Sequence, residues 1–125
     1  MFIDANIFLE MALKDENNQK CKDFIKNLIA KNKPIYTSDF IVYSCLLIIS
    51  NKLDSLSKMR DFIVFINSIN LNIVRPSLRA IYDSISYMER EKLDFDDSLV
   101  VSCMLENNIK NLVSYDKHFE KIKEI

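Results

Sequence analysis

None of the 125 residues is glycine. That absence limits both the turns this backbone can make and the ligands it can cradle. Left-handed residues at helix ends are ordinarily glycines, so here the chain must use asparagine instead, as in LENN and IKN. Phosphate-binding loops of the P-loop and GxGxxG kinds cannot be built, which removes the commonest nucleotide-binding motifs. The opening, MFIDANIFLE, therefore raises a question. Asp4 stands at the end of a short apolar run, with Asn6 two positions later, and no glycine turn accounts for it.

Short apolar runs alternate with helical periodicities along the whole chain. MFID reads as a strand, residues 5 to 13 as a helix and DENNQ as a turn. CKDFIKNLIAK spaces Cys21, Phe24, Ile25, Leu28 and Ile29 at helical intervals, and Pro34 ends that helix before the strand PIYT. Ser38 or Asp39 can cap the apolar helix that follows. After NKLDSLS, the segment MRDFIVFINSI is helical. LNIV is a third strand, and RPS turns it into a helix from about Ser77 to Glu91. LDFDDSLVVSCMLENN is a capped helix, NLVS a fourth strand and DKHFEKI a last short helix; KIKEI stops where a further strand would begin. Strands alternating with helices predict a parallel sheet covered by helices, in one domain over residues 1–125.

Composition narrows the function. Hydrophobic residues at 49% and charged residues at 28% are the balance of a globular protein, not a disordered one. With 17 basic against 18 acidic residues there is no global basic signature for nucleic acid, although acids gathered in an active site would mask one. Lys14, Lys20, Lys22, Lys26, Lys31 and Lys33 read as a solvated helix face. Cys21, Cys45 and Cys103 form no CxxC pair; Cys45 and Cys103 lie in apolar runs, so neither zinc nor a disulfide framework is expected. FIVYSCLLII is about half of what a membrane span needs, and no basic stretch precedes the first apolar residues. A cytoplasmic protein is expected. The aromatics Phe62, Phe65, Phe95 and Phe119, at helical spacing among aliphatics, are expected in the core.

The acids carry the chemistry. Asp4 follows the first strand, Asp39 the second and Asp116 the fourth, while Asp97 lies in the first turn of a helix. Taken singly, each is accounted for by helix capping. As a set they are harder to explain that way, because the carboxyl ends of parallel strands face one crevice. Carboxylates converging there repel unless a cation neutralises them. Oxygen ligands without histidine or cysteine select magnesium or manganese, and such an ion suits phosphodiester hydrolysis.

In order and spacing, FIDANIFLE, TSDFIVYS, LDFDDSLVVSCMLE and NLVSYDKHF resemble a PIN domain over nearly the whole chain. The opening DxN, the L-x-F-x-D-[AS]-L segment and the closing S-[YF]-D-x-x-F are its most specific parts. The resemblance implies a three-layer α/β/α sandwich with a central, mostly parallel sheet of four or five strands. It implies a Mg²⁺- or Mn²⁺-dependent ribonuclease, and many small free-standing relatives are toxins of VapBC-type toxin–antitoxin pairs. Asp4, Asp97 and Asp116 would be the catalytic, metal-binding acids, with Asn6 and Ser114 supporting them by hydrogen bonds. Asp97 fits the L-x-F-x-D spacing from Leu93, with Asp94 or Asp96 as the helix-capping alternatives. RNA is the implied substrate, a small antitoxin the implied partner, and a homodimer through the apolar helices around residues 40 to 66 the implied assembly.

The chain departs from the pattern at one place. The family's glutamate, in a T-S-x-x-V-x-E arrangement counted from Thr37 and Ser38, is replaced by Tyr43. Glu10, six residues after Asp4, and Asp39 are the candidates to stand in for it. A catalytically degenerate module that binds RNA or protein is therefore the competing reading. A receiver-like signalling domain would need an Asp at the third strand, and LNIVRPS has none. His118 reads as a surface residue, and no serine has a histidine and aspartate arranged around it.

Overall fold

The computed structural model describes residues 1–125. Strand β1 (Phe2–Ile3) leads into helices α1 (Ala5–Ala12) and α2 (Asn18–Ala30). Strand β2 (Tyr36–Ser38) leads into α3 (Asp39–Leu53) and α4 (Leu56–Ser68), and β3 (Asn72–Val74) into α5 (Leu78–Glu91) and α6 (Phe95–Glu106). Strand β4 (Leu112–Val113) and a 3₁₀ helix (Lys117–Lys121) close the chain. The sheet has four strands, every pair parallel, in the order β3-β2-β1-β4. The expected parallel α/β sheet is present, with four strands rather than five.

Strand order sets the layers. From β1 to β3 the chain steps outward in one direction, and from β3 it returns across the sheet to β4. Parallel crossovers are right-handed, so the return connection puts α5 and α6 on the face opposite α1–α4. The packing agrees: α1 lies against α2 and α3, α3 against α4, and α5 against α6. Between the layers the core runs through Phe2, Ile3, Phe8, Ile49, Val101 and Met104, all essentially inaccessible. Each such side chain contributes about 1.5–3 kcal/mol by burial. Phe8 meets Phe62 edge-on at 6.2 Å, joining α1 to α4.

Serines start three of the helices. Ser38 Oγ accepts from Ile41 N–H at 3.2 Å, and Ser55 and Ser77 do the same for α4 and α5. Ser55 is the reason α4 begins three residues before the expected Met59. Only Asp54 and Ser55 separate it from α3, because Asn51–Leu53 complete α3.

Six residues take up the left-handed conformation that glycine would otherwise supply: Lys14, Asn32, Asp54, Asn70, Lys92 and Asn108. Asn108, the last residue of LENN, does so as expected. The asparagines of the two IKN segments do not: Asn27 lies inside α2, and Asn111 leads into β4 with its carbonyl accepting from Phe2 N–H at 2.8 Å. Phe95 also departs from expectation. As the first residue of α6 it is 47% exposed. No helix is long and apolar enough to cross a membrane.

Candidate metal centre

Because β4 pairs with β1 in the register Ile3↔Val113, the next residues, Asp4 and Ser114, emerge side by side at the carboxyl edge of the sheet. The backbone carries this one step further, with Asp4 N–H donating to Val113 C=O at 3.1 Å. Ser114 Oγ donates to Asp4 Oδ2 at 2.7 Å. Asn6 folds back from the first turn of α1, its Nδ2 donating to Asp4 Oδ2 at 3.1 Å and to Ser114 Oγ at 2.9 Å. Its other atom, Oδ1, accepts from Tyr115 N–H at 3.2 Å. Ser114 Oγ also accepts from Asp116 N–H at 3.0 Å, and Asp116 Oδ1 accepts from His118 N–H at 2.8 Å. The DxN and SYD segments thus form one hydrogen-bonded unit that orients Asp4 and Asp116.

The third acid comes from the opposite layer. Leu93 is buried and anchors the start of α6, while Asp96 and Asp97 occupy its first turn. Asp94 holds the N-cap position without a side-chain capping bond. Asp97 turns inward. An oxygen of Asp97, an oxygen of Asp116 and a nitrogen of His118 lie within 4.8 Å of one another, and Asp94, Asp96 and Asp97 form a second group of that kind. His118 Nδ1 stands 3.1 Å from Asp116 Oδ1 and 3.9 Å from Asp97 Oδ2.

The electrostatics show the convergence. Burial, followed by the fields of Asp96, Asp116, Asp4 and Asp94, pushes the Asp97 carboxyl up to about 6. Burial likewise raises Asp4, against the hydrogen bonds from Ser114 and Ala5, and the charges of Asp116 and Asp96 add to the rise. Neither lysine nor arginine pairs with any of these five acids; His118 is the one basic side chain that does. Crowded carboxylates of raised pKa, with oxygen donors, one imidazole and no cysteine, fit a hard divalent cation.

The two candidates to replace the family's glutamate have partners of their own. Glu10 is bound at the start of α2, where Oε2 accepts from Asn17 N–H at 2.9 Å. Asp39, at the end of β2, accepts from Phe40 N–H at 2.8 Å and faces Arg75 Nε at 3.5 Å. Tyr43 is 57% exposed on α3 and hydrogen-bonds to none of the acids. Two residues matter more than the sequence indicated. The charge of Asp96 acts on both Asp4 and Asp97. His118, exposed as expected, turns its ring back onto Asp116 because the segment winds as a 3₁₀ helix rather than an α-helix. The i, i+2 spacing of Asp116 and His118 was the one signal for it.

The family model of the PIN domain matches residues 1–125. Among solved structures, the chain is similar to Mycobacterium tuberculosis VapC20, described as a sarcin-ricin loop cleaving toxin, with a TM-score of 0.80 at 14% identity. That match covers 99% of this chain and 95% of the other. A toxin–antitoxin complex from Klebsiella pneumoniae matches at 0.76 and 14% identity, covering 98% and 92%. VapBC2 from Rickettsia felis, bound to a DNA fragment from its promoter, matches at 0.79 and 18% identity, covering 99% and 93%. No curated protein sequence matches.

Proposed function

The chain belongs to the PIN domain family, and from that premise we propose that it is a divalent-metal-dependent ribonuclease and the toxin of a toxin–antitoxin pair. The observation that carries the reading is the convergence of Asp4, Asp97 and Asp116 from three separate segments without a lysine or arginine to pair them. These three would hold Mg²⁺ or Mn²⁺. When bound, such a cation acidifies water and offsets the charge that builds on a phosphate during in-line displacement.

The chain's own residues prepare the site. Ser114 and Asn6 fix Asp4 in one rotamer, and the Asp116 N–H bond to Ser114 ties the second acid to the same frame. Asp97, on the rigid start of α6, completes the set. His118 holds Asp116 from the solvent side. Asp96 and the exposed Asp94 keep the rim negative, so a phosphodiester is accepted only where positive charge compensates.

The relatives that are toxin–antitoxin assemblies support a small protein antitoxin as partner. The exposed apolar residues on α3 and α4, among them Tyr43, Leu47, Ile63 and Val64, support a homodimer. A cytoplasmic location agrees with both. Glu10 and Asp39 already have partners of their own, so Tyr43 leaves the site with three acids, enough for one metal ion.

The test is cleavage of a labelled single-stranded RNA by wild type and Asp97→Asn, with manganese, magnesium or EDTA. Cutting by wild type alone, and only with metal, is the expected result. If nothing is cut and a titration shows no manganese binding, the degenerate binding module takes its place.

A further inference from the structure

A small apolar cavity opens beside the metal centre. It encloses about 190 Å³ between α2, the start of α1 and the end of β4, and is lined by Ile7, Phe24, Val113, Ser114 and Tyr115, with Lys20 as its one cation. Ser114 and Tyr115 belong equally to the hydrogen-bonded frame of the acids, so the cavity and the centre share a wall. That wall is held at both ends. Asn6 Oδ1 accepts from the Tyr115 backbone N–H at 3.2 Å, and the phenol oxygen lies 3.8 Å from the buried Cys21 sulfur. Tyr115 is 42% exposed, and its phenol is turned toward α2 by the contact with Cys21.

We propose that this cavity takes one unpaired nucleobase of the RNA substrate, stacked on Tyr115, while Lys20 faces the adjoining phosphate. The inference rests on the ribonuclease reading. Three features select a nucleotide as the occupant. The cavity adjoins the acids through Ser114 and Tyr115, so a base next to the scissile phosphate reaches it without a second anchor. Aromatic walls bind any base face, and single-stranded RNA is recognised by splaying bases onto such walls. A nucleotide also brings an anion with its flat apolar part, which matches Lys20 at an otherwise apolar cavity; an aliphatic peptide side chain brings no anion for it. Tyr115 and Phe24 are then the residues that determine which position of an RNA is cut.

The experiment uses the full chain carrying Asp97→Asn, so that RNA is bound but not cut. Its probes are fluorescein-labelled single-stranded RNA octamers in magnesium, each lacking one base at a different position, read by anisotropy. One abasic position should weaken binding by between about 5-fold and about 150-fold, the range for a lost base–aromatic stack. Tyr115→Ala and Tyr115→Leu should erase that sensitivity, and Tyr115→Phe should keep it; Tyr115→Leu retains the bulk should the alanine variant unfold. Equal binding of all abasic probes, unchanged binding by the alanine and leucine variants, or no RNA binding at all would overturn the proposal, the last favouring a peptide side chain as occupant. Wild-type cleavage is run in parallel. Cleavage without the abasic signature sinks the pocket alone, and the signature without cleavage sinks the ribonuclease reading alone.

Discussion

Ser114 Oγ stands 2.7 Å from Asp4 Oδ2, although 110 residues separate them in the chain. The same hydroxyl accepts from Asn6 Nδ2 and Asp116 N–H, so one small side chain joins three parts of the site. Removing it as Ser114→Ala should lower manganese affinity or cleavage by about 10- to 100-fold, as loss of a residue orienting metal ligands does. The stability cost should be only about 1 kcal/mol. Asn6→Ala should act in the same direction. Because both belong to one network, the double variant should lose less than the product of the single losses. Titrations of the four proteins with manganese test this, and strictly multiplicative losses would show that the network does not act as a unit.

Crowded acids also make a statement about stability. The folded-state pKa of Asp97 is raised to about 6 and that of Asp4 is raised as well. The folded chain therefore binds more protons than the unfolded one above the ordinary carboxylate range near 4. In EDTA, these two groups should make wild type less stable as the pH rises from about 4 to about 7. Asp97→Asn should reduce that decline and melt a few degrees higher than wild type at neutral pH. Manganese should raise the wild-type Tm at neutral pH and leave the variant nearly unmoved. Thermal melts at two pH values, with and without metal, suffice; a wild type that gains stability through that window from these groups would contradict the crowding.

The missing glycines leave room for improvement. Lys92 at φ 55° and Lys14 at φ 53° hold left-handed conformations. A side chain there costs about 1–2 kcal/mol, part of which glycine returns through its freer unfolded chain. Lys92→Gly should therefore stabilise by roughly 0.5–1 kcal/mol without changing cleavage. A lower Tm in urea or thermal melts would mean that the Lys92 side chain makes a contribution of its own.

Assembly can be tested from the apolar surface. Leu78, Tyr82 and Ile85 recur along one side of α5, and Tyr43 and Leu47 along α3, all at least half exposed. Surfaces of this kind mark interfaces between chains. Sedimentation at micromolar concentration should give a dimer, and Leu47→Asp or Leu78→Asp should shift it toward monomer. A monomeric wild type would rule out the dimer.

Much of the molecule was legible locally. The four strands and the helices between them follow from short apolar runs, helical spacing and the serines and prolines that punctuate them. Asp4, Asp97 and Asp116 stood out because acids at strand ends and helix starts are visible in the sequence. Phe95 was misread because a helical spacing says which residues share a face, not whether the first residue of the helix is covered. His118 was underestimated because its turn winds as 3₁₀, which changes the direction of a side chain two residues from the cap.

The sequence by itself determined the elements, the family and which carboxylates could serve. The resemblance implied that Ser114 supports the acids, but local patterns alone could neither set Asp4 beside Ser114 nor show which partner Glu10 takes. Those depend on β4 pairing with β1 rather than with β3, and on a free N–H at the start of α2 that claims the Glu10 carboxylate. Periodicity and capping are local, acting over a few residues. Strand order is set by how the whole chain buries its two helical layers, and only that decision brings the acids together.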